Sequence, residues 1–269
     1  MGELIELKPG IGPFRLNVSE LIRRLKPVED PVLGVAQRFI QLFLDHGVAI
    51  PEIQHFLPLI TLDKLSTLAA LLPELTNDVL DHTAMLFGVQ RQWLDGTDTR
   101  IYKPLFCYKD PAVLFRSLGE LSSDKFSVPL RVLYCEKPPC SLSKRYQPLA
   151  IVLVETVRTL GEREICRYRV FGDEWDWSYE KCRIQMKAMV RALHLTSSAL
   201  FPLYRVEHRV LRQVLDGDLI PRAYLQGSLL TEPSLEDYAL SEAECAVAQE
   251  VEELPAVLLH SRLHGIVAR

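Results

Sequence analysis

Between Leu33 and Gly96 the chain is cut by Gly47, Pro51, Pro58, Pro73 and Gly88, and none of the resulting pieces is longer than 14 residues. Proline interrupts a helix and glycine commonly closes one, so this region can be built only from several short helices packed on one another. From Leu33, apolar residues at Val35, Phe39, Leu42 and Phe43 follow the i, i+4, i+7, i+8 stripe of an amphipathic helix that Gly47 stops. Pro51 suits the first turn of a second helix running to Leu57, and Pro58 forces a turn. Thr61 is placed to cap a third helix with Leu62, Leu65, Ala69 and Leu72 on one side, ended by Pro73. A fourth starts at Thr76 or Asn77, buries Val79, Leu80, Thr83, Ala84 and Phe87, and stops at Gly88. A last helical turn holds Trp93 and Leu94.

The flanks follow other rules. Pro9, Gly10, Gly12 and Pro13 predict an extended arm, then a short helix from Val18 to Leu25 beside the basic cluster Arg15, Arg23, Arg24 and Lys26. Leu130–Cys135, Leu149–Val157 and Glu164–Phe171 are rich in β-branched and apolar residues, and the last two, joined through Leu160-Gly161-Glu162, read as a hairpin. Ser178–Leu195 returns to helical spacing through Cys182, Met186, Met189, Val190 and Leu193, and a further helix starting near Val206 ends at Asp216-Gly217. Ser241 and Glu244 have capping-box spacing ahead of another helix, which Pro255 should break before the apolar run Ala256–Leu259.

The expected fold class is therefore α+β and multidomain. It comprises an arm and short helix (1–32), an all-α unit (33–98), a small α+β unit with antiparallel strands that senses a ligand or binds a partner (99–195), and a helical C-terminal region (196–269) whose faces at Val206–Leu215 and Ala256–Leu263 are candidate dimer surfaces.

Composition narrows the chemistry. No run approaches the roughly 18 apolar residues of a membrane helix, and acidic Glu3 and Glu6 stand where a signal peptide carries basic charge, so a cytoplasmic protein without membrane contact is expected. The six cysteines are too dispersed for a disulfide framework. Cys135 and Cys140 have no second pair nearby to complete a zinc site, and His260 and His264 lack the glutamate of a zinc protease motif. No phosphate-binding glycine loop or nucleophile elbow occurs, so the expectation is a protein that is not an enzyme and has no metal or cofactor.

The order of elements in residues 33–96 resembles the phage-repressor-like helix-turn-helix of the Xre or Cro type. The resemblance rests on Val79-Leu80, on Ala84-Met85-Leu86-Phe87-Gly88-Val89 and on the close Trp93-Leu94-Asp95-Gly96. It implies a positioning helix at Pro51–Leu57 and a recognition helix at Thr61–Ala70, with Thr61, Asp63, Lys64 and Thr67 facing base edges and Gln54, His55 and Arg38 meeting phosphate. Arg23 and Arg24 would lie along the backbone as an arm. The function implied is a transcriptional regulator of bacterial or phage type, binding double-stranded DNA as a homodimer and regulated through its C-terminal half by a small-molecule or protein effector.

The residues also support a second reading. Base readout depends on Arg, Lys, Asn and Gln, yet the expected recognition helix offers one lysine, and residues 1–100 hold 9 Lys/Arg against 13 Asp/Glu. The alternative is a non-catalytic adaptor or structural subunit that uses the helix-turn-helix fold to recognise protein. In the middle unit, Arg163, Arg167 and Arg169 share one strand face that could meet phosphate or an acidic partner, or pair with Glu155, Glu162 or Asp173. Trp175 and Trp177, set among Asp173, Glu174 and Asp176, join Arg167 and Arg169 as the candidate ligand or partner site.

Overall fold

The computed structural model describes residues 30–119, 130–135, 145–194, 202–225 and 240–250. The expected arm with Arg15, Arg23, Arg24 and Lys26, Cys140, and the C-terminal run with His260 and His264 lie outside them.

Helix α1 (Pro31–Asp45) opens on Asp30, whose carboxylate accepts the Val32 N–H at 2.8 Å, with Pro31 in the first turn where its missing N–H costs nothing. Its stripe of Ala36, Phe39, Leu42 and Phe43 is fully buried. The Phe43 ring lies 5.1 Å from Phe39, 5.8 Å from Phe56 and 5.0 Å from Phe87, the last edge-on, as aromatic quadrupoles prefer. A 3-10 helix at Ile50–His55 follows, opened by Glu52, whose carboxylate accepts the Ala49 N–H at 2.8 Å. Then come α2 (Leu68–Leu71), a 3-10 turn at Leu72–Glu74, α3 (Asn77–Phe87) and α4 (Arg91–Asp95). Gly88 (φ 69°) and Gly96 (φ 78°) close α3 and α4 in the left-handed region, where a side chain would be strained. Thr76 caps α3 by accepting the Val79 N–H at 3.4 Å. Thr76→Ala is expected to cost about 0.5–1 kcal/mol in urea denaturation, the low part of the capping range because the bond is long.

Past α5 (Pro111–Gly119) lie β1 (Leu130–Tyr134), β2 (Pro148–Leu160), β3 (Arg163–Asp176), α6 (Glu180–His194), β4 (Leu203–Arg205), α7 (His208–Leu215), a 3-10 turn at Pro221–Tyr224 and α8 (Glu242–Glu250). The strands form one sheet in the order β3-β2-β1-β4, antiparallel except for the parallel pair β1 and β4. The β2–β3 hairpin is longer than its apolar runs predict, because ladder hydrogen bonds continue past the buried positions to Leu160 and Arg163.

The sheet is covered on both faces. Alternation along each strand sends Leu133, Ala150, Val152, Tyr168, Val170 and Tyr204 to one side and Leu130, Val132, Leu149, Ile151, Leu153 and Phe171 to the other. The second side packs on α5 through Leu114, Phe115 and Leu118 and on α6 through Cys182, Met186 and Met189. The first side packs in one continuous core with Phe39, Phe43, Phe87 and Leu94 of the helical region and with Val210, Leu211 and Val214 of α7. The core of residues 33–98 is thus continuous with the core on this face of the sheet. The α7 face offered above as a dimer surface is spent inside the chain, its Val210, Leu211 and Val214 being buried there.

Polar groups sit in this shared core. His46, at the end of α1, is wholly buried; its Nδ1 donates to the Leu42 carbonyl at 2.7 Å, and its ring lies 4.2 Å from Phe87 and 5.7 Å from Tyr168. Burial takes its pKa down to about 3, so it is neutral in the folded chain at any ordinary pH. The adjacent Asp45 moves the other way, to about 6, because burial outweighs the hydrogen bond from Gln41 and the charge of Arg222. Burial also raises the Tyr102 and Tyr168 hydroxyls, keeping both protonated.

Candidate recognition surface

The segment expected to be a recognition helix is not one. From Thr61 to Ser66 the backbone makes successive turns (Lys64 N to Thr61 O at 3.0 Å, Ser66 N to Asp63 O at 3.3 Å), and α-helix begins only at Leu68. Thr67, not Thr61, is the cap, accepting the Ala70 N–H at 3.1 Å. The Thr61 hydroxyl instead donates to the Asp63 carboxylate, and the Ser66 hydroxyl donates to the Asp63 carbonyl at 2.6 Å. Three short polar side chains thus satisfy the backbone locally, which is how Ser, Thr and Asp compete with helix formation. The segment expected to be the positioning helix is a 3-10 helix, Ile50–His55, two residues short of Leu57.

Ile60 and Leu65 anchor this turn in the core while their neighbours face solvent. Leu59 is 88% exposed and Leu62 57%, beside exposed Pro58, Thr61, Asp63 and Ser66. The Thr61 hydroxyl holds the Asp63 carboxyl below its usual range, so this tip carries negative charge around two leucines.

Each candidate phosphate or base contact has a determinate place. Arg38 does not reach out: its Nε donates to the Leu94 carbonyl at 3.2 Å, and its guanidinium lies against Gly96, where a Cβ would fall 1.8 Å from Nη2. Lys64 pairs with Glu74 at 3.0 Å. Gln54 is half-buried and His55 exposed. Arg91, not singled out from sequence, bridges Asp95 at 3.0 Å and Asp81 at 2.5 Å, and donates to Asn77 Oδ1 at 3.0 Å, tying α4 to α3. Residues 30–98 contain three Lys/Arg (Arg38, Lys64 and Arg91) against nine Asp/Glu, and all three are bound within the chain.

The strand arginines also have partners within the chain. Arg167 makes a forked pair with Glu155 at 2.6 and 2.8 Å and also donates to the Met85 carbonyl at 3.3 Å, while Arg169 lies 4.0 Å from Glu155. Arg163 donates to the Gly47 carbonyl at 2.8 Å and pairs with Glu52. Arg163 and Arg167 thereby fasten β3 to the helical region. Trp175 and Trp177 are buried in the α5–α6 core, 0% and 2% exposed; β3 runs through Trp175, so it is a core residue where the sequence allowed a loop.

Among the described residues no group of three His, Cys, Asp or Glu could hold a metal ion, and no helix is long and apolar enough to cross a membrane. Comparison with family models, curated proteins and solved structures finds no match to this chain.

Proposed function

We propose that the chain acts by recognition and not by catalysis, as an adaptor-type subunit whose contact surface is the Pro58–Ser66 tip and whose partner is a protein. The observation that carries this reading is the tip itself: two leucines held out in solvent on a hydrogen-bonded turn, with anionic Asp63 next to Leu62 and the basic groups of residues 30–98 already bound. Exposed apolar groups of this kind fit a partner that offers an apolar pocket rimmed by basic charge. DNA would have to be held by released counterions, and this surface has little cationic charge with which to release them.

A DNA-reading regulator is the second reading, favoured by the frame of α3, Gly88, α4 and Gly96, which keeps the order of the helix-turn-helix close. On that reading residues 33–98 form the reader, the sheet unit receives an effector, and dimerisation falls to segments other than α7.

A photoreactive residue at position 59 in the full chain, irradiated in extract of the source cell, tests the first. A discrete protein adduct is expected, reduced at least about tenfold by Leu62→Asp. Retention of genomic DNA fragments enriched in one palindrome, strong at about 50 mM salt and lost near 200 mM, would overturn it in favour of the second.

A further inference from the structure

The stem that carries the recognition tip is gripped from outside the helical region. Between the Gly47 stop of α1 and Pro58 the chain has one 3-10 helix, Ile50–His55, a form whose hydrogen bonds are poorly aligned and which seldom persists beyond a few residues. Its outgoing hydrogen bonds run into the tip: the Ile53 carbonyl accepts the Phe56 N–H at 2.9 Å and the Leu57 N–H at 3.0 Å, and the Leu57 carbonyl accepts the Ile60 N–H at 3.0 Å. A stem this short does not set its own direction. What holds it decides where Leu59 and Leu62 stand.

Two arginines at the turn end of the β2–β3 hairpin hold it. Arg163 Nη1 donates to the Gly47 carbonyl at 2.8 Å and Nη2 pairs with Glu52, whose other carboxylate oxygen accepts the Ala49 N–H that opens the 3-10 helix. Arg158 lies over the Phe56 ring, its guanidinium carbon 5.3 Å from the centroid. One arginine takes the start of the stem and the other its end. Their spacing is fixed, because Arg158 pairs with Ile165 and Leu160 with Arg163 across the two-residue turn Gly161-Glu162, and Gly161 (φ 59°) supplies the left-handed residue that such a turn needs. Ile165, 1% exposed, belongs to the same core as Ile53 and Phe56, so the end of the hairpin is itself seated.

We propose that Arg158 and Arg163 are positioning residues for the recognition tip, and that the β2–β3 hairpin is the element through which the sheet unit governs recognition. This rests on the tip being the contact surface. Removing Arg163 frees the start of the stem while Ile60 and Leu65 stay anchored in the core, so the tip loosens without unfolding. Half of the Arg163 side chain is exposed, and solvent screening keeps the expected change modest.

Amide hydrogen exchange in the full chain measures the grip directly. In Arg163→Ala the Phe56, Leu57 and Ile60 amides should exchange about five- to tenfold faster, while those of Ala84 on α3 and Leu133 on β1 keep their rates. A substitution that merely weakened the fold would speed all five alike. Arg163→Lys retains a cation for Glu52 and should recover most of the protection; Arg158→Ala, which loses a single ring contact, should raise the three rates by a smaller factor. The photochemical adduct from position 59 should fall at least about threefold in Arg163→Ala, and its absence from the parent chain would remove the tip's role while the exchange rates still decide the grip. Unchanged rates at Phe56, Leu57 and Ile60, an equal rise at Ala84 and Leu133, or an undiminished adduct would overturn the proposal.

Discussion

Asp45→Asn is expected to make the chain more stable at neutral pH and more sensitive to acid. Asp45 has its carboxyl raised from 3.8 to about 6, so above pH 6 the fold holds an ionised group that the unfolded chain ionises more easily. The displacement corresponds to at most about 3 kcal/mol, and solvent contact at this half-buried side chain brings the expected gain to about 1–2 kcal/mol at pH 7.5. Asparagine keeps the acceptor that Gln41 needs. The neighbouring His46 has the opposite sign. Its pKa falls from 6.5 to about 3, so below pH 6.5 the unfolded chain takes up a proton that the fold refuses, and stability is lost as pH drops. Between pH 7.5 and 5 this amounts to about 2 kcal/mol, whereas Asp45, protonating in the fold from pH 6 down, returns about 1 kcal/mol over the same range. The parent chain should therefore lose about 1 kcal/mol across that interval and the Asp45→Asn variant about 2 kcal/mol, read from urea midpoints at the two pH values. Equal losses in both would show that Asp45 does not offset His46.

Phe43→Ala is expected to cost about 3–5 kcal/mol, the range for removing a fully buried phenyl ring, because Phe43 packs against the rings of Phe39, Phe56 and Phe87 and little of the void can close. The form of the transition matters as much as its midpoint. With the helical region and the sheet sharing one core, helical ellipticity and tryptophan fluorescence from the α5–α6 side should fall together on heating. Two separated transitions, with only the helical signal moved by the substitution, would instead indicate a helical unit that folds alone.

Much of the local structure was legible because it rests on local rules. The stripe of α1, the Thr76 start and Gly88 stop of α3, the end of α7 at Asp216-Gly217 and the reciprocal Ser241–Glu244 cap of α8 each depend on contacts within a few residues. The recognition segment was misread because Leu62, Leu65, Ala69 and Leu72 keep helical spacing while Thr61, Asp63 and Ser66 close turns with their side chains, and spacing does not register that competition. Helix α5 and strand β4 went unread. Strand β4, three residues long, exists through its pairing with β1. The candidate arginines were seen as charge, but their partners Glu155, Leu94 O and Glu52 are brought to them by the fold. Gln185 offered no signal at all, since the Lys109 N–H that it accepts lies 76 residues away in sequence.

The shared core also fixes an order of events in the cell. Phe43 and Phe87 leave the ribosome well before β3 and α7, whose buried residues belong to the same core, and Val214 is the 171st residue after Phe43. At about 5–20 residues per second, the helical region waits on the order of 10–30 s with its apolar face uncovered. The helical region is thus made well before the residues that complete its core, and while it waits it depends on whatever guards exposed phenyl rings during synthesis.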